Sequence, residues 1–407
     1  MRERRRDMLN LLGRVRVEAQ VLFKDSQYRD YMLLLVISLC HYTAVMVFFA
    51  FPLQVVKWGY DTMDVAILAF SMDGVLLAIR PWVKKLIDKY KAKKALFISS
   101  VFLLLVPVIL TLAGRSFPLL AVAKAVHGVS LSIFIVANLV YVHALFPPGM
   151  IRKALLWLGT TAILPQLFFI SLAEKAIMSG RLWLFYGGVA TLAATALMLS
   201  LRLGDRGGEL ESPANISSLL RRKEFFYIAF LVFFQAMVIS VSSNFIALLL
   251  EKRGISLWRF FTPYAAGTLL VRGPLASWVS KISPRAVLVL GFSTLSLSVA
   301  LLAVSYNPTW VLVSSFLIGM SFAPLQPTLI SVAVERIKYE RNALLTAVIT
   351  SDDMAWTFGP LIGGFLGRSS VVVAYYALVM VAAFAALLSF KGFGGPAEDG
   401  PPRKDVS

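Results

Sequence analysis

Long apolar blocks separated by short polar breaks run from residue 31 to residue 389. A helix that crosses the bilayer core needs about 20 mostly apolar residues. Lipid satisfies no backbone polar group, so blocks of that length read as membrane-spanning helices. Twelve are predicted, over 31–51, 63–80, 95–113, 117–145, 154–173, 182–201, 224–250, 257–280, 286–305, 309–334, 343–366 and 371–389. The second and eighth are the least regular, because polar residues interrupt them and each ends in a basic stretch. The first block is too long for a signal-peptide core and lacks a small-residue cleavage site, so it is expected to remain in the mature protein. Before it, Met8, Leu11, Leu12, Val15, Ala19 and Leu22 share one helical face. That pattern reads as an amphipathic helix on the cytoplasmic leaflet or as an unstructured tail.

The blocks repeat. Ala78-Ile-Arg80-Pro-Trp-Val pairs with Leu270-Val-Arg272-Gly-Pro-Leu at an offset of 192, and Gly128-Val-Ser130 pairs with Gly319-Met-Ser321 at 191. Arg152-Lys-Ala-Leu-Leu156 pairs with Arg341-Asn-Ala-Leu-Leu345 at 189. Three matches in order, at nearly one offset and at equivalent helix ends, predict two parallel six-helix halves related by an axis along the membrane normal. The plan is an N-terminal cytoplasmic segment (1–30), a six-helix bundle (31–201), a cytoplasmic linker (202–223), a second bundle (224–390) and a tail (391–407) whose Pro, Gly and charge read as disordered.

Composition agrees: 58% of the 407 residues are hydrophobic and only 15% charged, against about a quarter charged in an average soluble domain. The net charge of +18 raises nucleic acid as a partner, but the cations sit in short loops between spans, which is the membrane-orientation use of Lys and Arg. With the N-terminus in the cytoplasm, 30 Lys and Arg lie on that side and 8 on the other. The chain is therefore expected in a cell membrane, plasma or bacterial inner, with both termini cytoplasmic. A single cysteine, Cys40, excludes an intrachain disulfide and a cysteine metal cluster.

Polar residues at membrane depth are costly and so mark function or a structural partner. Asp73 lies midway along the second span, with Arg80 on the same face about 10 Å on, at 1.5 Å per residue. Asp73 is the best candidate for a titrating carboxylate; its alternative is a fixed charge partner for a neighbouring helix. Lys124 and His127 lie one turn apart in the fourth span, with Leu131 and Asn138 on the same face. Lys124 could hold an anion, pair with Asp73 or relay a proton. His127 could titrate near neutral pH or serve as a structural hydrogen-bonding group. Gln235, Ser242 and Asn244 in span seven and Gln326 in span ten read equally as substrate contacts or as interhelical hydrogen bonds. Pro324 and Pro327 should kink span ten. No set of residues has metal-ligand spacing.

The stretch Lys84-Lys-Leu-Ile-Asp88-Lys-Tyr-Lys91-Ala-Lys-Lys94 resembles the loop signature G-x-L-a-D-r-x-G-r-k of the major facilitator superfamily, with lysines at both glycine positions. Lys124-Ala-Val-His127-Gly128 is similar to that family's span-four pattern R-x-x-q-G. Arg80-Pro81 and the run from Asp353 through Gly359-Pro360-Leu-Ile-Gly363-Gly364 look like its efflux-type branch, whereas the antiporter pattern G-P-x-x-G-G is absent from span five. The resemblance covers most of 25–390 and implies twelve helices as two repeats, with span four facing a central cavity. It also implies that Asp88 docks against the positive N-terminal end of span eleven. Arg80 and Asp353 would then pair across the halves, so that Arg80, Asp88, Arg272, Asp352 and Asp353 form a cytoplasmic gate. Solvated headgroup charges are the alternative.

These features predict a transporter that moves a small organic solute by alternating access, working as a monomer without a cofactor. Efflux is the expected direction, and a proton gradient is the candidate driving force. A nutrient uniporter or importer, for a sugar or an organic anion, is the alternative, as is a non-transporting receptor on the same fold. Asp352-Asp353 could suggest an intramembrane prenyltransferase, but no second acidic cluster is present to hold magnesium on a diphosphate.

Overall fold

The computed structural model describes residues 26–206, 223–336 and 341–392. The expected N-terminal amphipathic face, most of the linker and the tail beyond residue 392 lie outside the described residues. Helix α1 (Ser26–Met46), a 3-10 turn (Val47–Ala50) and α2 (Phe51–Lys57) make the first crossing. Pro52 is the second residue of α2, in the first turn, where a missing N–H breaks no helical hydrogen bond. Helix α1 starts five residues before the predicted span, so Asp30 belongs to the first helix.

Helix α3 (Thr62–Ala113) is two helical arms joined at a kink at Lys91, and holds both the second and third crossings. The basic stretch between them, expected as a loop, is helical except at Lys91 (φ 64°, ψ 163°). Its Lys, Leu and Ala residues are strong helix formers, so a single non-helical residue is enough to reverse the chain.

Helix α4 (Phe117–Leu145) follows, and α5 (Pro148–Thr161) with α6 (Pro165–Met178) form the fifth crossing, broken just before Pro165. The half ends with α7 (Leu182–Arg202). The second half begins with α8 (Lys223–Glu251). Its next crossing, predicted as one helix, is split into α9 (Trp258–Arg272) and a single turn, α10 (Ala276–Val279). Gly273 and Pro274 stand at the break, and Gly273 takes a non-helical conformation that a glycine adopts cheaply. Helices α11 (Pro284–Val304), α12 (Pro308–Arg336), α13 (Arg341–Leu366) and α14 (Val371–Gly392) complete the chain.

Among the described residues, nine helical stretches are long and apolar enough to cross a membrane. One of them, α3, crosses twice. The eighth and eleventh crossings carry too many polar residues or breaks to qualify on composition alone. The fold is all-α, with twelve crossings.

The chain divides into two compact units, Met1–Trp58 with Leu68–Glu211, and Gly59–Ile67 with Ser212–Ser407. In the first unit, α4 meets α3 at Gly128, where a Cβ would come within 2.1 Å of the Met72 carbonyl oxygen. In the second, α12 meets α9 at Gly319, where a Cβ would come within 2.1 Å of the Tyr264 carbonyl oxygen. The repeat legible in the sequence is thus one helix–helix contact built twice, with glycine required each time for backbones to touch. Arg152 and Arg341, its third matched pair, have side chains outside the described set.

Candidate functional site

The first unit gathers buried polar groups where α1 and its 3-10 turn pack beside α3 and α4. Asp73 on α3 is 6% exposed, Lys124 on α4 8%, and His127 one turn further on 0%. The Lys124 ammonium lies 4.8 Å from the centre of the Phe48 ring and donates to the Met72 sulfur at 3.7 Å. Asp73 acts on it electrostatically. A cation over an aromatic face gains roughly 2 kcal/mol when desolvated, less than the desolvation of an ammonium costs, so Asp73 is needed to hold the charge there.

His127 packs against the same Phe48 ring, with ring centres 4.9 Å apart. Both of its ring nitrogens lack a hydrogen-bond partner among the described residues. An imidazole always carries at least one N–H, and leaving that donor unmet costs about 1–3 kcal/mol.

His41 contrasts with it. Ser130 Oγ donates to the Ser99 carbonyl at 2.8 Å, which uses its only proton, so His41 Nε2 must be the donor across their 3.1 Å contact. The ring stacks on Phe134 at 4.0 Å, and its place is structural. Asn138 is similar: its Nδ2 donates to Ser38 Oγ at 2.9 Å, which donates in turn to the Leu34 carbonyl at 2.7 Å. The Lys124, His127, Leu131 and Asn138 stripe expected to look into a cavity is buried throughout.

In the second unit, Gln235 on α8 is fully buried and both its amide atoms lack partners among the described residues, as does the Ser242 hydroxyl. Asn244 donates back to the Ser240 carbonyl at 2.9 Å in its own helix. Gln326 on α12 donates to Asp352 Oδ1 on α13 at 3.3 Å, which ties a pathway candidate to a gate candidate. Arg80 and Asp88 lie on α3, Arg272 ends α9, and Asp353 follows Asp352 on α13.

The model of the Major Facilitator Superfamily matches residues 32–351 and, in an overlapping stretch, 258–406. The chain belongs to the Major Facilitator Superfamily. It is accordingly a multi-pass membrane transporter of small molecules with the twelve-helix fold of that superfamily. No curated protein matches it in sequence.

Solved structures share the superfamily fold at low identity. The human organic anion transporter MFSD10 (TETRAN) is 12% identical, with a TM-score of 0.67 over 89% of this chain and 99% of that one. A bacterial homologue of the human lysosomal transporter Spinster, inward-facing and occupied, is 12% identical, with a TM-score of 0.69 over 92% and 96%. The same homologue inward-facing and unoccupied is 13% identical, with a TM-score of 0.66 over 90% and 97%.

Beside the superfamily's signature stretch stands a cluster that the sequence reading missed. Asp30 is 1% exposed and meets Arg29 and Arg206, each at 3.2 Å. Tyr141 donates to the Gly204 carbonyl at 2.8 Å and faces Asp30 at 3.5 Å. A Cβ on Gly204 would come within 2.5 Å of Asp30 Oδ2. This network fastens the chain leaving α7 to the start of α1 and the end of α4. Asp30 gave no signal beyond a carboxylate at the start of an apolar block. Phe48 and Met72, which flank Lys124, are single apolar residues among many.

Proposed function

We propose that the protein is a secondary active transporter whose coupling chemistry sits on the first unit, at Asp73, Lys124 and His127. The carrying observation is His127, fully buried with no partner for either ring nitrogen and sharing the Phe48 ring with Lys124. A carboxylate near an ammonium offers two exclusive states. Either Asp73 holds Lys124, or a proton neutralises Asp73 and Lys124 turns to a ligand. Exchange between those states is the minimum device for coupling a solute to a proton.

The solute class is small and organic, and amphipathic anions are the first to test. Lys124 and the His127 N–H would hold an anionic group, and Phe48 and Met72 an apolar body. The human neighbour described as an organic anion transporter points the same way. Efflux by alternating access from a cell membrane, with cytoplasmic termini and a monomeric transporter, completes the proposal. The basic side of the loops supports the orientation, and the Arg80-Pro81 and Gly359-Pro360 runs support the direction. Arg80, Asp88, Arg272, Asp352 and Asp353 are proposed as the gate on the sequence pattern.

Purified protein in proteoliposomes with an imposed pH gradient tests the reading, using a panel of radiolabelled amphipathic acids and bases. At least one acid should accumulate with the gradient. Asp73→Asn and Lys124→Ala should each lower that flux about tenfold, equivalent to about 1.4 kcal/mol of lost coupling. Unchanged gradient-driven flux in both variants removes the site from the mechanism. For the gate, the double change Arg80→Asp with Asp353→Arg should recover activity lost in either single change.

A further inference from the structure

A groove of about 520 Å³ opens on the first unit, away from the Asp73 cluster and at the opposite helix ends from Asp30. It lies between the end of the first crossing (Trp58), the last turns of α3 (Pro107 to Gly114) and the first turns of α7 (Leu182 to Ala190). Its wall is almost wholly apolar, and Trp58, Trp183 and Tyr186 give it the aromatic composition of a membrane–water interface. Two glycines form part of the lining, Gly114 and Gly187, and a Cβ on either would meet nothing within 4 Å. The groove is thus open space that ordinary side chains would have narrowed.

Its rim is cationic. Arg115 follows Gly114 and Arg181 precedes Leu182, and both residues are exposed. Lys57 adjoins Trp58 but donates to the Ile177 carbonyl at 3.5 Å, which places it on the last turn of α6. Arg115 and Arg181 together are a quarter of the 8 cations expected on that side of the membrane, set at the mouth of one apolar groove.

We propose that this groove is a binding site for an anionic glycerophospholipid. One acyl chain would lie along Pro107, Val108, Gly187 and Ala190, with the phosphate beside Arg115 and Arg181. An apolar slot alone would take any lipid tail. Arg115 and Arg181 select the headgroup, because each basic residue near a membrane surface favours an anionic lipid by about fivefold in affinity.

The test is native mass spectrometry of the full-length protein released from mild detergent. Phosphatidylglycerol and phosphatidylcholine would be supplied at equal concentration. The wild-type protein should retain one phosphatidylglycerol in preference to phosphatidylcholine. Gly187→Leu, whose Cβ would meet nothing within 4 Å, puts a bulky side chain in the lining and should abolish retention of both lipids. Arg115→Gln with Arg181→Gln leaves the slot intact and should bring the two lipids to equal retention. Equal retention by the wild-type protein, or retention of phosphatidylglycerol unaffected by either variant, overturns the proposal. So does a preferred anionic lipid that only Gly187→Leu displaces, since the arginines would then select nothing.

Discussion

Lys91 is the residue where sequence and backbone disagree most sharply. It occupies the second glycine position of the superfamily's loop signature and keeps a conformation, φ 64° with ψ 163°, that is nearly reserved for glycine. Its ammonium pairs with Asp205 at 3.7 Å, but both groups are more than half exposed and water screens the attraction. The strain is therefore larger than the pair's return. Lys91→Gly should stabilise the purified protein by about 1 kcal/mol, read as a higher midpoint in a thermal melt. Asp30 shows the opposite balance. With the carboxylate buried and Arg206 only partly exposed, Asp30→Ala should cost about 3 kcal/mol by stranding the guanidinium. Tyr141→Phe, which removes one hydroxyl, should cost about 1 kcal/mol.

Helix packing makes sharper demands than helix formation. A methyl group at Gly128 or Gly319 would strike a carbonyl oxygen on the adjoining helix, so backbones must separate. Gly128→Ala and Gly319→Ala should each destabilise by about 1–3 kcal/mol. Gly74→Ala meets only the Phe70 ring at 3.5 Å, an ordinary contact, and should be neutral or slightly stabilising. Thermal melts of the three proteins decide it. Twelve crossings were legible because hydropathy reports a property local to each block. The repeat of Gly128 at Gly319 was legible in the sequence, but the helix contact that it marks was not. The interruptions at Val47–Ala50 and before Pro165, and the helical course of the basic stretch in α3, were not, since tertiary fit decides whether a proline or a lysine run ends a helix. Lys124 and His127 stood out as polar residues in an apolar block. Their shared neighbour Phe48 did not, because nothing in one aromatic residue says which cation it faces.

At the scale of the whole chain, the units share a plan but not a chemistry. The repeat mates of Asp73, Lys124 and His127 are Ala265, Ser315 and Ile318, and the buried Ser315 hydroxyl is satisfied by the Val311 carbonyl at 2.6 Å. The charged cluster thus belongs to the first unit alone, and the second offers Gln235 and the Gln326–Asp352 pair. Direction of transport then depends on which face of the membrane the basic stretch occupies. Cys40 is buried and single, so Cys40→Ser gives a background with no thiol to label. On it, Ser116→Cys, between α3 and α4, should react in intact cells with a membrane-impermeant maleimide, whereas Lys89→Cys should react only after permeabilisation. The reverse pattern would invert the orientation and with it the side on which Arg80, Asp88 and the Asp30 network act. Arg115 and Arg181 at the proposed lipid groove would then face the cytoplasmic leaflet. Because Ser116 and Lys89 lie at opposite ends of one crossing, a single labelling experiment fixes the side of every other loop in the chain.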